Sequence, residues 1–524
     1  MRFLSYSFLI FIFLAKFLLF TDLNRKVELK TPEVEKFNGV ISPFNFKNLK
    51  IESPQGEAKF KFSQEIETEK SILFNFDKEI CFIGDINRDI SGYEGFEVVL
   101  SSSAGIITLE VVDCFQNIWQ ISKKNVPYNS SLKFKFDEFI PIETKNDFGF
   151  KQPSSIESLS FKFKRLNNQS ENQFLVKSIK AFGSRGMAGP SISVDPLFDF
   201  YKERKWLEIA DLLKCYGYTN VVIVFTRDMP YDKHREIVDA FHSSGLKCTI
   251  RINPPTDFEA YERHPEWRQR MLDGSAKYDW RVYLCPNNEN FTKYYCAKIA
   301  NILKNVPYDC LSISELWFEV WGGAYRNNTN KGKYACLCDK CVEAFKIRTH
   351  IDPRELFNEK SPLYFELPEN SEIYQKWVNF RADTINRFCG QIVEEAKNTR
   401  PDIKISYMYL SDCTVEPGKT REYQAQDFEG ALKASQADYL VIQDAWQDWI
   451  KTNLSPDFVK NYAKAYIQRA KAVKPDIIIQ AHADNGSIPA MKRSELWMRQ
   501  FSAYSRCYGF NSPTYYEFSL TFRK

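Results

Sequence analysis

The stretch Tyr439-Leu-Val-Ile-Gln443-Asp444, a helical pattern over 457–473, then Ile477-Ile-Ile-Gln-Ala481-His482 decides the fold. A short run of β-branched and aliphatic residues is followed by a longer stretch of helical periodicity, and then by another short run. A strand buried on both faces reads in this way when a crossover helix returns the chain to a parallel neighbour. The same alternation extends in both directions. Strands are predicted over 191–194, 220–225, 247–252, 310–314, 403–409, 439–443, 477–481 and 509–514. Helical patterns separate them at 205–216, 233–243, 291–304, 372–398, 457–473 and 492–505. Eight strands, with no Gly-rich phosphate turn after any of them, predict a (β/α)8 TIM barrel over 190–524 rather than a doubly wound open sheet.

The region 35–185 has a different texture. Short alternating runs such as Phe96–Leu100, Ile106–Val112, Leu132–Phe136, Leu159–Phe163 and Phe174–Ala181 are separated by Gly, Asn, Ser and Asp. This pattern predicts an all-β sandwich. Its layout resembles galactose-binding-like jelly-roll modules, which bind glycans or brace a neighbouring domain. Gly183–Pro190 reads as the linker. Residues 1–26 contain a basic start and an apolar stretch interrupted at Lys16, as expected of a signal peptide or N-terminal membrane anchor. The chain is therefore expected to be secreted, periplasmic or at the cell surface.

The 524 residues carry a net charge of +4 with 26% charged side chains, which gives no electrostatic footprint for nucleic acid. Five histidines, with His234 and His242 two helical turns apart, do not supply the clustered ligands of a metal-dependent deacetylase. Aromatic residues make up 15% of the chain, a supply of rings that fill cores or stack on sugars. Cys336-x-Cys338-x-x-Cys341 places three thiols in one tight loop, and Cys285 on a separate segment can supply a fourth ligand. Four thiolates suit a tetrahedral zinc ion, and a closed set of this kind makes the ion structural. Cys81 and Cys114 are expected to be buried thiols.

In a barrel of this kind the chemistry lies where the strands end at their C-termini. Those ends read Thr226-Arg-Asp228, Asn253-Pro-Pro-Thr256, Glu315-Leu-Trp317, Tyr409-Leu-Ser-Asp412, Asp444-Ala-Trp446, His482-Ala-Asp484 and Tyr515-Tyr-Glu517. Carboxylates mixed with Trp and Tyr suit glycoside hydrolysis, which needs one carboxylic acid and one carboxylate. Glu315 and Asp444 are the candidate catalytic pair. Trp317, Trp446, His482, Asp484 and Glu517 are candidate substrate contacts, with Trp321 beyond. Glu319 and Asp448 are expected to face solvent.

The run Cys285-Pro-Asn-Asn, Glu315 and Cys336-Leu-Cys-Asp-Lys-Cys-Val-Glu-Ala-Phe345 resembles glycoside hydrolase family 42, the β-galactosidases. His264-Pro-Glu-Trp267, Asp273-Gly274 and Leu284-Cys-Pro-Asn287 are similar to a set of related glycosyl-hydrolase-like barrel families. The likeness covers roughly residues 245–350 and implies a zinc-braced barrel with Glu315 as the acid, acting on an oligo- or polysaccharide. Two positions depart from family 42. Ser314 stands where the family has Asn, and the seventh strand ends Gln480-Ala-His-Ala-Asp484 where the family's nucleophile is a Glu. A second assignment follows barrels with the nucleophile on strand four and the acid on strand six, so that Glu315 attacks and Asp444 protonates. A different class of reading, a non-catalytic carbohydrate-binding or cell-surface protein on a degenerate barrel, shares the same residues.

Overall fold

In the computed structural model the described residues run from 50 to 522, apart from 53–58, 64–70, 76–78, 102–103, 147–148, 154, 165–172, 226–228, 279–280, 320–334 and 415–417. The N-terminal segment 1–26, Thr226–Asp228 and Trp321 lie outside the described residues, as does the side chain of Cys81. No helix among the described residues is long and apolar enough to cross a membrane.

Eleven antiparallel strands come first: β1 (Lys50–Glu52), β2 (Lys59–Ser63), β3 (Ser71–Asn75), β4 (Glu79–Asp89), β5 (Gly95–Leu100), β6 (Ala104–Asp113), β7 (Ile118–Val126), β8 (Ser131–Lys135), β9 (Ile140–Glu143), β10 (Ser155–Lys164) and β11 (Gln173–Phe182). They form a six-stranded sheet in the order β1-β4-β10-β6-β7-β9 and a five-stranded sheet in the order β2-β3-β11-β5-β8. The alternation in the sequence becomes alternation in burial. Phe96, Val98 and Leu100 of β5 and Ile107, Leu109 and Val111 of β6 point into one core shared by both sheets.

The second unit is a closed parallel barrel of β12 (Ser191–Val194), β13 (Asn220–Val224), β14 (Lys247–Ile252), β15 (Cys310–Ile313), β16 (Lys404–Leu410), β17 (Tyr439–Gln443), β18 (Ile478–Ala483) and β19 (Ser512–Tyr515). Among the helices that wrap it are α1 (Trp206–Cys215), α2 (Tyr231–Ser243), α3 (Glu289–Asn305), α4 (Ser371–Thr399), α5 (Phe428–Ser435), α6 (Val459–Val473) and α7 (Glu495–Cys507). Outward positions such as Ile250 and Ile252, Leu311 and Ile313, and Leu440 and Ile442 are buried against these helices. The inward positions are largely polar. Gln480 Nε2 donates to Gly189 O (3.2 Å) and Ser512 Oγ (3.0 Å), and Thr249 Oγ1 donates to Asn220 Oδ1 (3.1 Å), which fills the floor with hydrogen bonds. Strand β18 runs two residues further than the sequence indicated, so His482 sits within it rather than after it.

After β19 the chain makes the short 3-10 turn Phe518–Phe522, whose Phe522 stacks on Phe200 with ring centres 5.2 Å apart. The flank between α1 and α7 is closed by the N-terminal sheets. Asn87, Arg88 and Asp89 meet Tyr216, Tyr218, Met498 and Tyr515 around a cavity of only 30 Å³. Gly217 has φ +86°, and a Cβ there would fall 1.7 Å from Asp89 O, so only glycine admits this approach. Arg185 N donates to Gly92 O (2.8 Å) and Thr219 N to Pro190 O (3.1 Å), which ties the predicted linker down near both ends.

Candidate functional site

Glu315 stands two residues past the end of β15, and its backbone is left-handed (φ +53°), a conformation uncommon outside glycine. Arg281 holds it there. One terminal nitrogen of the guanidinium ion-pairs with the Glu315 carboxylate and the other donates to the Glu315 carbonyl at 2.8 Å, while Nε donates to Thr256 Oγ1 at 2.9 Å. The guanidinium lies between the rings of Tyr283 and Trp317, 5.0 Å from each centroid. Trp317 is consequently buried and serves as one wall of the arginine slot. Glu319, expected at the surface, is only 3% exposed. It pairs with Lys277 Nζ at 2.8 Å, and burial pushes its carboxyl up while the lysine opposes the rise. Its position inside the wall follows from the Glu319 N–H to Gln269 Oε1 bond of 2.9 Å.

Across the barrel, β17 and β18 bring Asp444, His482 and Asp484 together. His482 Nδ1 lies 2.7 Å from Asp444 Oδ1, and the Asp484 N–H donates to Asp444 Oδ2 at 2.9 Å. The Asp484 carboxylate accepts the N–H groups of Gly486 and Ser487, each at 2.8 Å through Oδ1. All three side chains are buried. Burial above all, and then the charge of Asp444, raises the Asp484 carboxyl above the ordinary range. Arg493 braces the neighbouring loop by donating to the carbonyls of Thr452, Trp449 and Lys451. Asp448, also expected at the surface, is buried: it accepts from Tyr462 Oη at 2.6 Å and pairs with Lys451 Nζ at 2.7 Å. The side chain of Trp446 lies outside the described residues.

Glu517 is buried at the end of β19 and is occupied by the fold itself. It accepts from Tyr201 Oη, from Asp195 N at 2.9 Å and from Ser519 N at 3.0 Å. Burial pushes its carboxyl up to about 7 against those donors. Asn485 joins β18 to this end through Nδ2 to Glu517 O (2.9 Å) and Oδ1 from Glu517 N (3.1 Å).

Beyond Glu319, whose carbonyl accepts from Ala335 N at 2.9 Å, the four sulfurs of Cys285, Cys336, Cys338 and Cys341 lie within 4.8 Å of one another and are all buried. The Arg270 N–H points at Cys336 Sγ (3.4 Å) and Asn287 Nδ2 at Cys341 Sγ (3.2 Å). Four converging thiols with N–H donors aimed at sulfur fit a thiolate-bound metal ion, and the donor set leaves no open position. Cys114 is a buried free thiol.

Sequence reasoning singled out Glu315, Asp444, His482 and Asp484 but missed Arg281, Lys277 and Arg493. Arg281 had one visible signal: a charge directly before the apolar run Val282-Tyr-Leu284, four residues ahead of Cys285.

The fold and its mouth therefore define a (β/α)8 barrel with an acidic C-terminal end and a buried four-thiol cluster beside it. No family model and no curated protein matches the sequence. Among solved structures the chain is similar to the glycoside hydrolase domain of PgaB (BpsB) from Bordetella bronchiseptica, with TM-score 0.47 and 10% identity over 63% of this chain and 94% of that one. It is also similar to a β-galactosidase from the haloarchaeon Halorubrum lacusprofundi (TM-score 0.47, 10% identity, 64% of this chain and 54% of that chain). A third, the β-galactosidase from Marinomonas ef1, gives TM-score 0.44 and 13% identity over 63% of this chain and 54% of that chain. The chain spans about half the length of these two β-galactosidases.

Proposed function

We propose that this chain is an exported glycoside hydrolase acting on an oligo- or polysaccharide. The observation that carries the reading is the placement of two buried aspartates, Asp444 and Asp484, on adjacent strand ends, joined by the Asp484 N–H donating to Asp444 Oδ2, with a third carboxylate, Glu315, just past the end of β15 on the same rim. Glycosidic cleavage needs a carboxyl that can deliver a proton and a carboxylate that attacks the sugar or activates water. Asp484, with its raised carboxyl, is suited to the first role. Glu315, ion-paired to Arg281, is suited to the second. Asp444 and His482 orient the acid side. Cys285, Cys336, Cys338 and Cys341 would hold zinc, which would brace the loop beyond Glu319 and take no part in bond cleavage. The N-terminal sheets are proposed as a galactose-binding-like jelly roll, with the segment 1–26 directing export or anchoring the chain to a membrane.

The test is release of reducing sugar from a panel of glycans by the wild-type chain. Glu315→Gln, Asp444→Asn and Asp484→Asn should each abolish release while leaving glycan binding intact. Undiminished release by all three variants would refute the assignment.

One observation favours a second reading, a carbohydrate-binding barrel without turnover: Arg281 occupies the Glu315 carboxylate and covers one face of Trp317. Binding of glycan by the wild type with no release of sugar from any substrate would select it.

A further inference from the structure

Among the described residues, one arginine on the inward side of the barrel makes no ion pair, although its charge is felt by Asp195. On β14, Ile250 and Ile252 are buried against the helices, so Arg251 between them points into the barrel. Its Nη1 donates to Ser193 Oγ at 3.2 Å, and its Nε is buried without a hydrogen bond. Among the described residues no carboxylate comes within ion-pair distance of it. The neighbouring guanidiniums are already engaged, Arg281 by Glu315 and Arg493 by three carbonyls. Two acceptors are also unmet: Asn253 Oδ1 and Gln443 Oε1, at the mouth ends of β14 and β17, are buried and unbonded. A buried donor and a pair of buried acceptors left open in one mouth cost free energy unless a ligand completes them.

On the glycan-hydrolase reading of this mouth, we infer that the substrate is an acidic glycan. Arg251 receives the carboxylate or sulfate substituent of a sugar, while Asn253 and Gln443 accept from its hydroxyls. A sugar hydroxyl can satisfy Nε but brings no opposite charge to the guanidinium, whereas a carboxylate or sulfate offers the arginine fork both a negative charge and a pair of oxygens. The acidic residues around Arg251 do not forbid an anion. Burial raises the carboxyls of Asp195, Asp484 and Glu517, and at Asp195 the Arg251 charge opposes the rise.

The experiment compares binding of charged and neutral forms of the same skeleton to the full-length chain by calorimetry. One pair is oligogalacturonate and its methyl ester, and the other is a sulfated galactan oligosaccharide and its desulfated form. The expected result is about tenfold tighter binding of the charged member of at least one pair. Arg251→Gln should erase that preference and Arg251→Lys should keep part of it. Preference within the first pair identifies a uronate, and within the second a sulfate ester. Equal binding of charged and neutral members, or no binding of either anion, overturns the inference on the wild-type chain alone, without relying on a variant that folds. A charge preference that survives Arg251→Gln overturns the role of Arg251. Failure to cleave any of the four oligosaccharides, with the preference intact, would count against the hydrolase reading while leaving the anion site standing.

Discussion

Arg381 on α4 is completely buried, and its guanidinium is spent on three backbone carbonyls. Nε donates to Ala335 O at 2.7 Å, and the terminal nitrogens donate to Glu422 O and Tyr423 O, each at 2.6 Å. The guanidinium also lies over the Phe318 ring, 5.3 Å from its centre. One side chain thus joins the segment entering Cys336, the short helix Lys419–Gln424 before α5 and the wall beside Glu315. Arg381→Met keeps most of the volume and removes every donor. Hydrogen bonds from a charged donor contribute about 1.5–3 kcal/mol each, so the gross loss is about 5–9 kcal/mol. Part is returned because the variant no longer buries a charge, which leaves a net destabilisation of about 3–5 kcal/mol. Against a total stability on the order of 5–15 kcal/mol, this is a large fraction. Urea unfolding followed by tryptophan fluorescence reads the loss as a lower midpoint at unchanged slope, and zinc content after dialysis reads the effect on the Cys336 loop. Arg381→Lys, with one nitrogen in place of three, should fall between the two. A loss below about 1 kcal/mol with metal retained would show that the three carbonyls find other donors, and the reasoning would fail.

Elemental analysis of never-chelated protein should find zinc near one per chain, and Cys338→Ser should lose it together with thermal stability; protein free of metal as purified would remove the thiolate site. The Glu517 carboxyl is raised from 4.5 to about 7 in the folded chain, so the folded state holds its proton more tightly than the unfolded one. Its contribution to stability is complete below about pH 4.5 and is lost as pH climbs through about 7, by about 3 kcal/mol. Glu517→Gln should flatten that part of the pH–stability curve, and an identical curve would contradict the burial argument. Gly217→Ala should destabilise the chain by about 2 kcal/mol or more, because it combines a left-handed backbone with a Cβ driven into Asp89 O; a melting temperature within a degree of wild type would disprove the close approach. With Asp484 as proton donor, turnover should fall as pH rises through its raised carboxyl, and a pH–rate profile with no alkaline limb would count against that role.

How much of this could be read in the chain depended on the kind of signal. The barrel strands were legible because each is a short apolar run between helical patterns, and Ser191–Val194, Lys247–Ile252 and Tyr439–Gln443 fall where periodicity puts them. In the N-terminal sheets β7 passed unseen, because after Trp119 and Ile121 it turns to Lys123-Lys-Asn125 and the alternation fades. The four thiols were legible because spacing within one loop constrains geometry directly. The environment of Glu315 was not, because Arg281 reaches it from 34 residues upstream in a loop with no periodic pattern. Glu319 and Asp448 were misplaced for a related reason: a carboxylate near a strand end looks solvated until its partner, Lys277 or Tyr462, is known.

The way the antiparallel sheets close the flank between α1 and α7 has a bearing on how this chain can be cut. There Asn87–Asp89 form a seam with Tyr218, Met498 and Tyr515. A fragment beginning at residue 187 would leave that seam uncovered, so the two units should melt as one transition rather than two. Grafting the barrel onto another partner, or swapping the front module as though it were an interchangeable accessory, would require rebuilding that seam.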